Sequence, residues 1–141
     1  MSEYKFTFTK VVLGDTVEGK IHLGFGISVD SKVSLAGVES YSTRLDYSVS
    51  DKKERARRRD LGLKTKRRLR EILHHGASQT EGLYIKIFSD PQVFLPNVIG
   101  DIKYIYARDL YNHQPGQDPW IGWKGVSAQL LEEELVARSF L

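Results

Sequence analysis

Cysteine is absent from this 141-residue sequence, which excludes disulfides, thiolate metal centres and cysteine nucleophiles and leaves the fold to packing alone. That absence also fits a reducing compartment. No apolar run approaches the ~20 residues of a membrane span, so no membrane partner is expected. The first residues, MSEYKFTF, form a charged, alternating segment rather than a basic stub before an apolar core, so no secretory signal is expected. The cytoplasm is therefore the expected location. Internal repeats, low-complexity linkers, a glycine-rich phosphate loop and a serine–histidine–acid arrangement are lacking too. What is present, 40% hydrophobic residues, suits a single domain over 1–141 around one core.

The net charge of +3 conceals an asymmetry. Residues 51–70 hold eleven of the 21 basic residues and three of the 18 acidic ones, a local +8 that leaves −5 on the remainder. One basic surface on a mildly acidic body is the footprint expected for nucleic acid or for an acidic protein partner. Its cations include Arg55, Arg57, Arg58, Arg59, Lys64, Lys66, Arg67, Arg68 and Arg70. Facing one polyanion, they would give salt-sensitive binding without sequence preference. A merely solvated face is the plainer alternative.

Along the chain, Tyr4, Phe6 and Phe8 alternate with Lys5, Thr7 and Thr9 and lead into Val11 and Val12, a first strand. Gly14-Asp15 signals a turn. Ile21, Leu23, Phe25, Ile27 and Val29 share one face of a long second strand, whose outward Gly24 and Gly26 favour the bending that a small closed barrel requires. Asp30-Ser31 reads as the next turn, and Val33, Leu35 and Val38 as a third strand. From Ser40 to Ser50 the sequence is polar and aperiodic, a loop.

Asp51 and Glu54 have capping-box spacing, so a basic helix or insert is expected over about 51–77. Gly62 costs about 1 kcal/mol inside a helix, which puts the start of the packed part near Leu61. Leu61, Thr65, Leu69, Ile72 and Leu73 share one helical face, and Gly76 is placed as the C-terminal cap. His74 and His75 before it complement the helix dipole, with metal ligation or a pH response as the alternative. His22 and His113 have no partner at metal-ligand spacing. Leu83, Ile85 and Ile87 alternate with Tyr84, Lys86 and Phe88 as a strand, and Val98–Ala107 reads as the final one.

Residues 108–125 form an irregular stretch whose Trp120 and Trp123 either anchor a protein contact or tuck back onto the domain. Ser127 is placed as the cap of a last helix with Ala128, Leu131 and Leu135 as its apolar stripe. The chain stops soon after, leaving Leu135, Phe140 and Leu141 as an apolar flank for a partner to cover. This order predicts an α+β fold, a five-stranded OB-type β-barrel with flanking helices. Tyr84, Phe88, Tyr104 and Tyr106 then belong to its core or stack the bases of a single strand.

In order, VVLGDT, HLGFGISV, SLAGVES, GLKTKRRLREIL, YIKIF, IGDIKYIYA and QLLEEELVA resemble successive blocks of the staphylococcal nuclease (thermonuclease-like) family, from about Lys5 to Phe140. Each block is weak alone; their shared order carries the resemblance. DTVEGKIHLGFGISV, followed by a charged run before the helix, is similar in spacing to compact phage-encoded members, which would place the protein in a host cytoplasm or a virion. The resemblance implies the OB-type barrel again, and an ancestral calcium-dependent phosphodiester cleavage. In that chemistry aspartates hold a hard cation, a glutamate lies near the attacking water, and two arginines neutralise charge building on phosphorus.

Carried over residue by residue, the pattern is mostly replaced. Leu13 stands at the first aspartate, while Asp15 keeps the second. Ser34 stands at the first arginine, and Pro96-Asn97 where the family has Gly-Arg. Glu39 occupies the metal-binding aspartate's place, Tyr41 a proline's, and Ser42 that of the catalytic glutamate. Losing one positioned donor costs about 10²–10³ in rate, and here both arginines and the water-activating acid are gone.

The expectation is therefore a catalytically degenerate member, acting as a non-enzymatic binding or structural module, as in a subunit of a phage or other larger assembly. Asp15 and Glu39 remain as the weak site for calcium, with no other cofactor implied. Two alternatives stand beside it. One is a divergent metal-dependent nuclease using Asp15, Glu39 and a substitute cation, Arg44; the other is a nucleic-acid binder working through the basic helix.

Overall fold

Side-chain alternation sets the first strands, and their pairing bends them into a barrel. The computed structural model describes residues 2–79, 81–88, 97–105 and 122–138. In chain order these form β1 (Ser2–Leu13), β2 (Thr16–Gly24), β3 (Ile27–Leu35), β4 (Val38–Glu39), α1 (Lys52–Ala77), β5 (Leu83–Ile87), β6 (Asn97–Tyr104), β7 (Lys124–Gly125), α2 (Val126–Glu132) and β8 (Ala137–Arg138). β1, β2 and β3 are an antiparallel meander; β5 pairs with β1, and β6 with β5, also antiparallel. A parallel pairing of β3 with β6 closes the ring. The result is a closed five-stranded mixed barrel of OB type flanked by α1 and α2, as the sequence order predicts. Phe6, Val17, Ile21, Val33, Leu35, Leu83, Ile85, Val98 and Ile102 point inward and are buried.

The second strand is shorter than the run Ile21–Val29 suggests. Gly24, Phe25 and Gly26 have φ of 99°, 55° and 75°, so three consecutive left-handed residues reverse the chain inside that run. Phe25 is fully exposed at the hairpin tip and Ile27 is exposed beside it. Asp30 and Ser31, expected to turn, lie within β3 opposite Lys20 and Gly19. The period of two holds on both sides of the reversal, so alternation alone hides it. Val38 likewise belongs not to β3 but to the short β4, which pairs with β8.

Helix α1 starts where its cap predicts. The Asp51 carboxylate accepts the Lys53 N–H at 3.0 Å. Glu54 turns instead to Arg57 and Arg58, so no reciprocal box forms. Leu69, Ile72 and Leu73 are buried against the barrel, each worth about 1.5–3 kcal/mol. Thr65 is buried with them; its hydroxyl donates to the Leu61 carbonyl at 2.7 Å and lies 2.9 Å from that of Leu135. Gly76 is inside the helix, where it admits Leu83 and Tyr104, and Ser78 takes the cap position assigned to it.

Gly125, not Ser127, is the N-cap of α2, and Ser127 is buried in the first turn. Its buried side chains are Val126, Ser127 and Leu130, whereas Ala128 faces solvent and Leu131 is half-buried. The helix ends in a Schellman motif: Leu135 N–H donates to Leu130 O at 3.1 Å and Glu134 N–H to Leu131 O at 3.0 Å, with Glu134 at φ 58°. Leu135 is thereby folded back into the core.

Gly62 gives a test with an unusual sign. Elsewhere in a helix, replacing glycine by alanine stabilises by about 1 kcal/mol. Here a Cβ would lie 2.3 Å from the Ser42 carbonyl oxygen and 2.6 Å from that of Tyr41. Gly62→Ala is expected to destabilise by about 1–3 kcal/mol through overpacking against backbone, measured as a lower denaturant midpoint. A raised midpoint would mean that the loop is not seated on the helix.

Candidate functional site

Asp15 sits in the β1–β2 turn, with both carboxylate oxygens engaged. Oδ2 accepts the Ser40 backbone N–H at 3.0 Å and Oδ1 accepts the Thr16 hydroxyl at 2.9 Å. Its carbonyl accepts the Leu35 N–H at 2.8 Å. The turn is thus laced to the end of β3 and to the residue after β4. Glu39, the second acid, is exposed on β4 opposite Ala137.

The remaining positions are scattered around this point. Leu13 pairs in register with Thr16, and Thr16 with Ser34 on its other side. Ser34 is exposed between Thr16 and Ile99, and Asn97 is exposed opposite Lys32. The Ser42 hydroxyl accepts the Arg44 backbone N–H at 3.1 Å, a local turn that uses Arg44's backbone rather than its guanidinium. The fold therefore gathers Leu13, Asp15, Ser34 and Ser40 around the β1–β2 turn. Among the described residues, no three histidine or carboxylate side chains cluster at metal-holding distance.

The basic run divides into two groups. Arg55 donates to the Val49 carbonyl at 3.1 and 3.0 Å and stacks on Tyr47, 4.8 Å from the ring centre. Arg57 makes a two-point pair with Glu54, Arg58 joins the same carboxylate and lies over Tyr41, and Arg59 pairs with Asp60. Arg68 bridges Glu71 and Glu133, tying α1 to the end of α2. Lys64, Arg67, Arg70 and Lys52 are exposed and Lys66 is half-buried, and none of the five forms an ion pair among the described residues. The clamping role of Arg55 and Arg58 escapes a reading of charge alone. Tyr41 and Tyr47 in a polar loop beside an arginine run are its one visible signal.

The aromatic candidates separate as well. Tyr104 is buried, and its hydroxyl bonds Gln129 at 2.9 Å. Tyr84 is half-buried on the outer face of β5 and Phe88, just past that strand, is exposed. Trp123 packs edge-on against Tyr84 at 5.2 Å, back onto the barrel. His74 packs against Phe8 and His75 against Tyr104, while His22 shares a 2.8 Å hydrogen bond with Thr7. Tyr106, His113, Pro96, Trp120, Phe140 and Leu141 lie outside the described residues. No described helix is long and apolar enough to cross a membrane.

No protein-family model and no curated protein matches the chain. The resemblance to staphylococcal nucleases thus rests on the blocks quoted above.

Two carboxyls respond to pH in opposite senses. The Arg57 and Arg58 guanidiniums hold Glu54 down, from the usual 4.5 to about 2. Burial pushes Asp101 up, against the opposing pull of Ser127 and Lys103. The stability Glu54 contributes is present above its unfolded value and lost as pH falls from about 4.5 towards 2, so Glu54→Gln is expected to flatten the acid limb of a thermal-melt profile. Asp101 favours the folded state when protonated and loses that contribution as pH rises through its folded value, so Asp101→Asn is expected to raise the melting temperature at pH 7. Asp15→Ala removes two hydrogen bonds to a charged acceptor and is expected to cost about 2–4 kcal/mol, with the same loss in calcium and in chelator.

Proposed function

We propose that the chain is a non-enzymatic binding or structural module on a nuclease-type barrel, of the kind that serves as a subunit in a phage or other larger assembly. The supporting observation is the state of Asp15. The one acid kept at its place in the nuclease pattern spends both oxygens on Ser40 and Thr16, holding a turn to a strand end. At the other positions of that pattern, Leu13, Ser34, Ser42 and Asn97 supply neither the acid that activates water nor the cations that stabilise a pentacoordinate phosphorus. Glu39 alone is a poor cage for a hard cation that takes six to eight oxygens.

The decisive assay incubates the purified chain with single- and double-stranded DNA and with RNA, in calcium and in chelator. No calcium-dependent cleavage is expected. Introducing Ser34→Arg and Asn97→Arg together is expected to leave the product at background, because the water-activating acid is still missing. Calcium-dependent cutting by the unaltered chain, abolished by Glu39→Ala in a variant that melts normally, would establish the divergent nuclease instead.

A further inference from the structure

Helix α1 is longer than the core needs. Its first fully buried residue is Gly62 and Leu61 already packs against the core, so the nine residues Lys52–Asp60 lie ahead of the packed part, about 14 Å of helix at 1.5 Å per residue. A projection of that kind ordinarily frays. This one is capped by Asp51, stiffened by the Glu54 pairs to Arg57 and Arg58, and strapped by the loop through Arg55 on Val49 and Tyr47. The chain thus commits a cap, three arginines and a loop to holding straight a segment that contributes little to the barrel.

One ridge runs along the flank of that helix from Lys52 to Arg70, with Lys52, Leu63 and Arg70 exposed and Ala56, Arg59 and Lys66 half-buried. Lys52, Ala56, Arg59, Leu63, Lys66 and Arg70 follow one another at alternating spacings of four and three, the repeat by which one helix seats another. Ala56 and Leu63 are its apolar positions, one heptad apart, and Leu63 is 42% exposed. The other four are cations, and of these only Arg59 has an ion-pair partner among the described residues. We infer that this ridge docks an acidic amphipathic helix of a partner protein, with Leu63 entering its apolar stripe and Lys52, Lys66 and Arg70 meeting its flanking carboxylates. A phosphate backbone would leave the exposed Leu63 unused. The inference names a partner for the binding module proposed above. Cleavage of nucleic acid would sink that reading without touching the ridge.

The test uses the full chain and a synthetic three-heptad peptide with leucine on one stripe and glutamate along both flanks, beside a short duplex DNA. The peptide is expected to bind one to one, weakening at high salt without vanishing. Leu63→Ser and the pair Lys66→Glu, Arg70→Glu are each expected to lower affinity about tenfold or more, in variants whose circular dichroism is unchanged. Absence of peptide binding would overturn the proposal and mark the ridge as a solvated face. Duplex binding that is indifferent to Leu63→Ser and collapses with salt would overturn it in favour of nucleic acid.

Discussion

The parallel pairing of β3 with β6 is the constraint from which the rest follows. Four registered pairs, from Lys32 opposite Asn97 to Leu35 opposite Gly100, turn a curled meander into a closed barrel. Parallel neighbours cannot be joined by a tight turn, so the chain between them must cross over. That crossover carries β4, the loop, α1 and β5. α1 returns along it with Leu69, Ile72 and Leu73 towards the barrel, so one connection supplies both closure and a large share of the core. The closure also decides which side chains face out together, since Ser34, Asn97 and Ile99 lie on two strands made adjacent only by it.

Closure leaves gaps that polar groups bridge. Asp15 joins the β1–β2 turn to the end of β3 and to the residue after β4, and Thr65 joins α1 to the carbonyl that follows α2. Hydrogen bonds to a charged carboxylate contribute about 1.5–3 kcal/mol each, more than a neutral pair. A small barrel with short β4 and β8 has little apolar surface to spend at these junctions. The Schellman turn at Glu134 serves the same end, since it is what aims Leu135 inward and presents its carbonyl to Thr65.

How much of this is visible in the sequence depends on which physical effect is locally dominant. Barrel class, helix start and the inward faces of β1 and β5 are legible, because alternation and an Asp cap act within a few residues. The β2–β3 reversal is not: Leu23, Phe25 and Ile27 keep a period of two straight through a turn that two glycines make inexpensive. Gly62 and Gly76 mislead in the same way. Local propensity treats each as a break or a cap, whereas the deciding contacts, Ser42 carbonyl on one and Tyr104 on the other, come from distant sequence. In the site, the side chains at each position are legible one by one. That Asp15 is consumed as a fastener is not, since its partner Ser40 is a backbone N–H with no sequence signature. The split of the arginines into clamps and outward cations needs the path of the loop.

The outward positions singled out by the nuclease pattern carry little of the fold. Ser34, Ser42 and Asn97 all point outward, where exchanging one polar side chain for another changes little in the core and typically shifts stability by less than about 0.5 kcal/mol. Leu13, by contrast, is half-buried beside Thr16, where an apolar side chain adds burial. Asp15 is different, because removing it would orphan the Ser40 N–H and the Thr16 hydroxyl at once. Of the described positions in that pattern, Asp15 is the one whose side chain fastens a turn to a strand end. A retained acid in such a barrel is therefore weak support for retained catalysis, since fold and reaction would both keep it. Ser34 and Asn97 discriminate better, because an arginine at those exposed places would have only the reaction to keep it there.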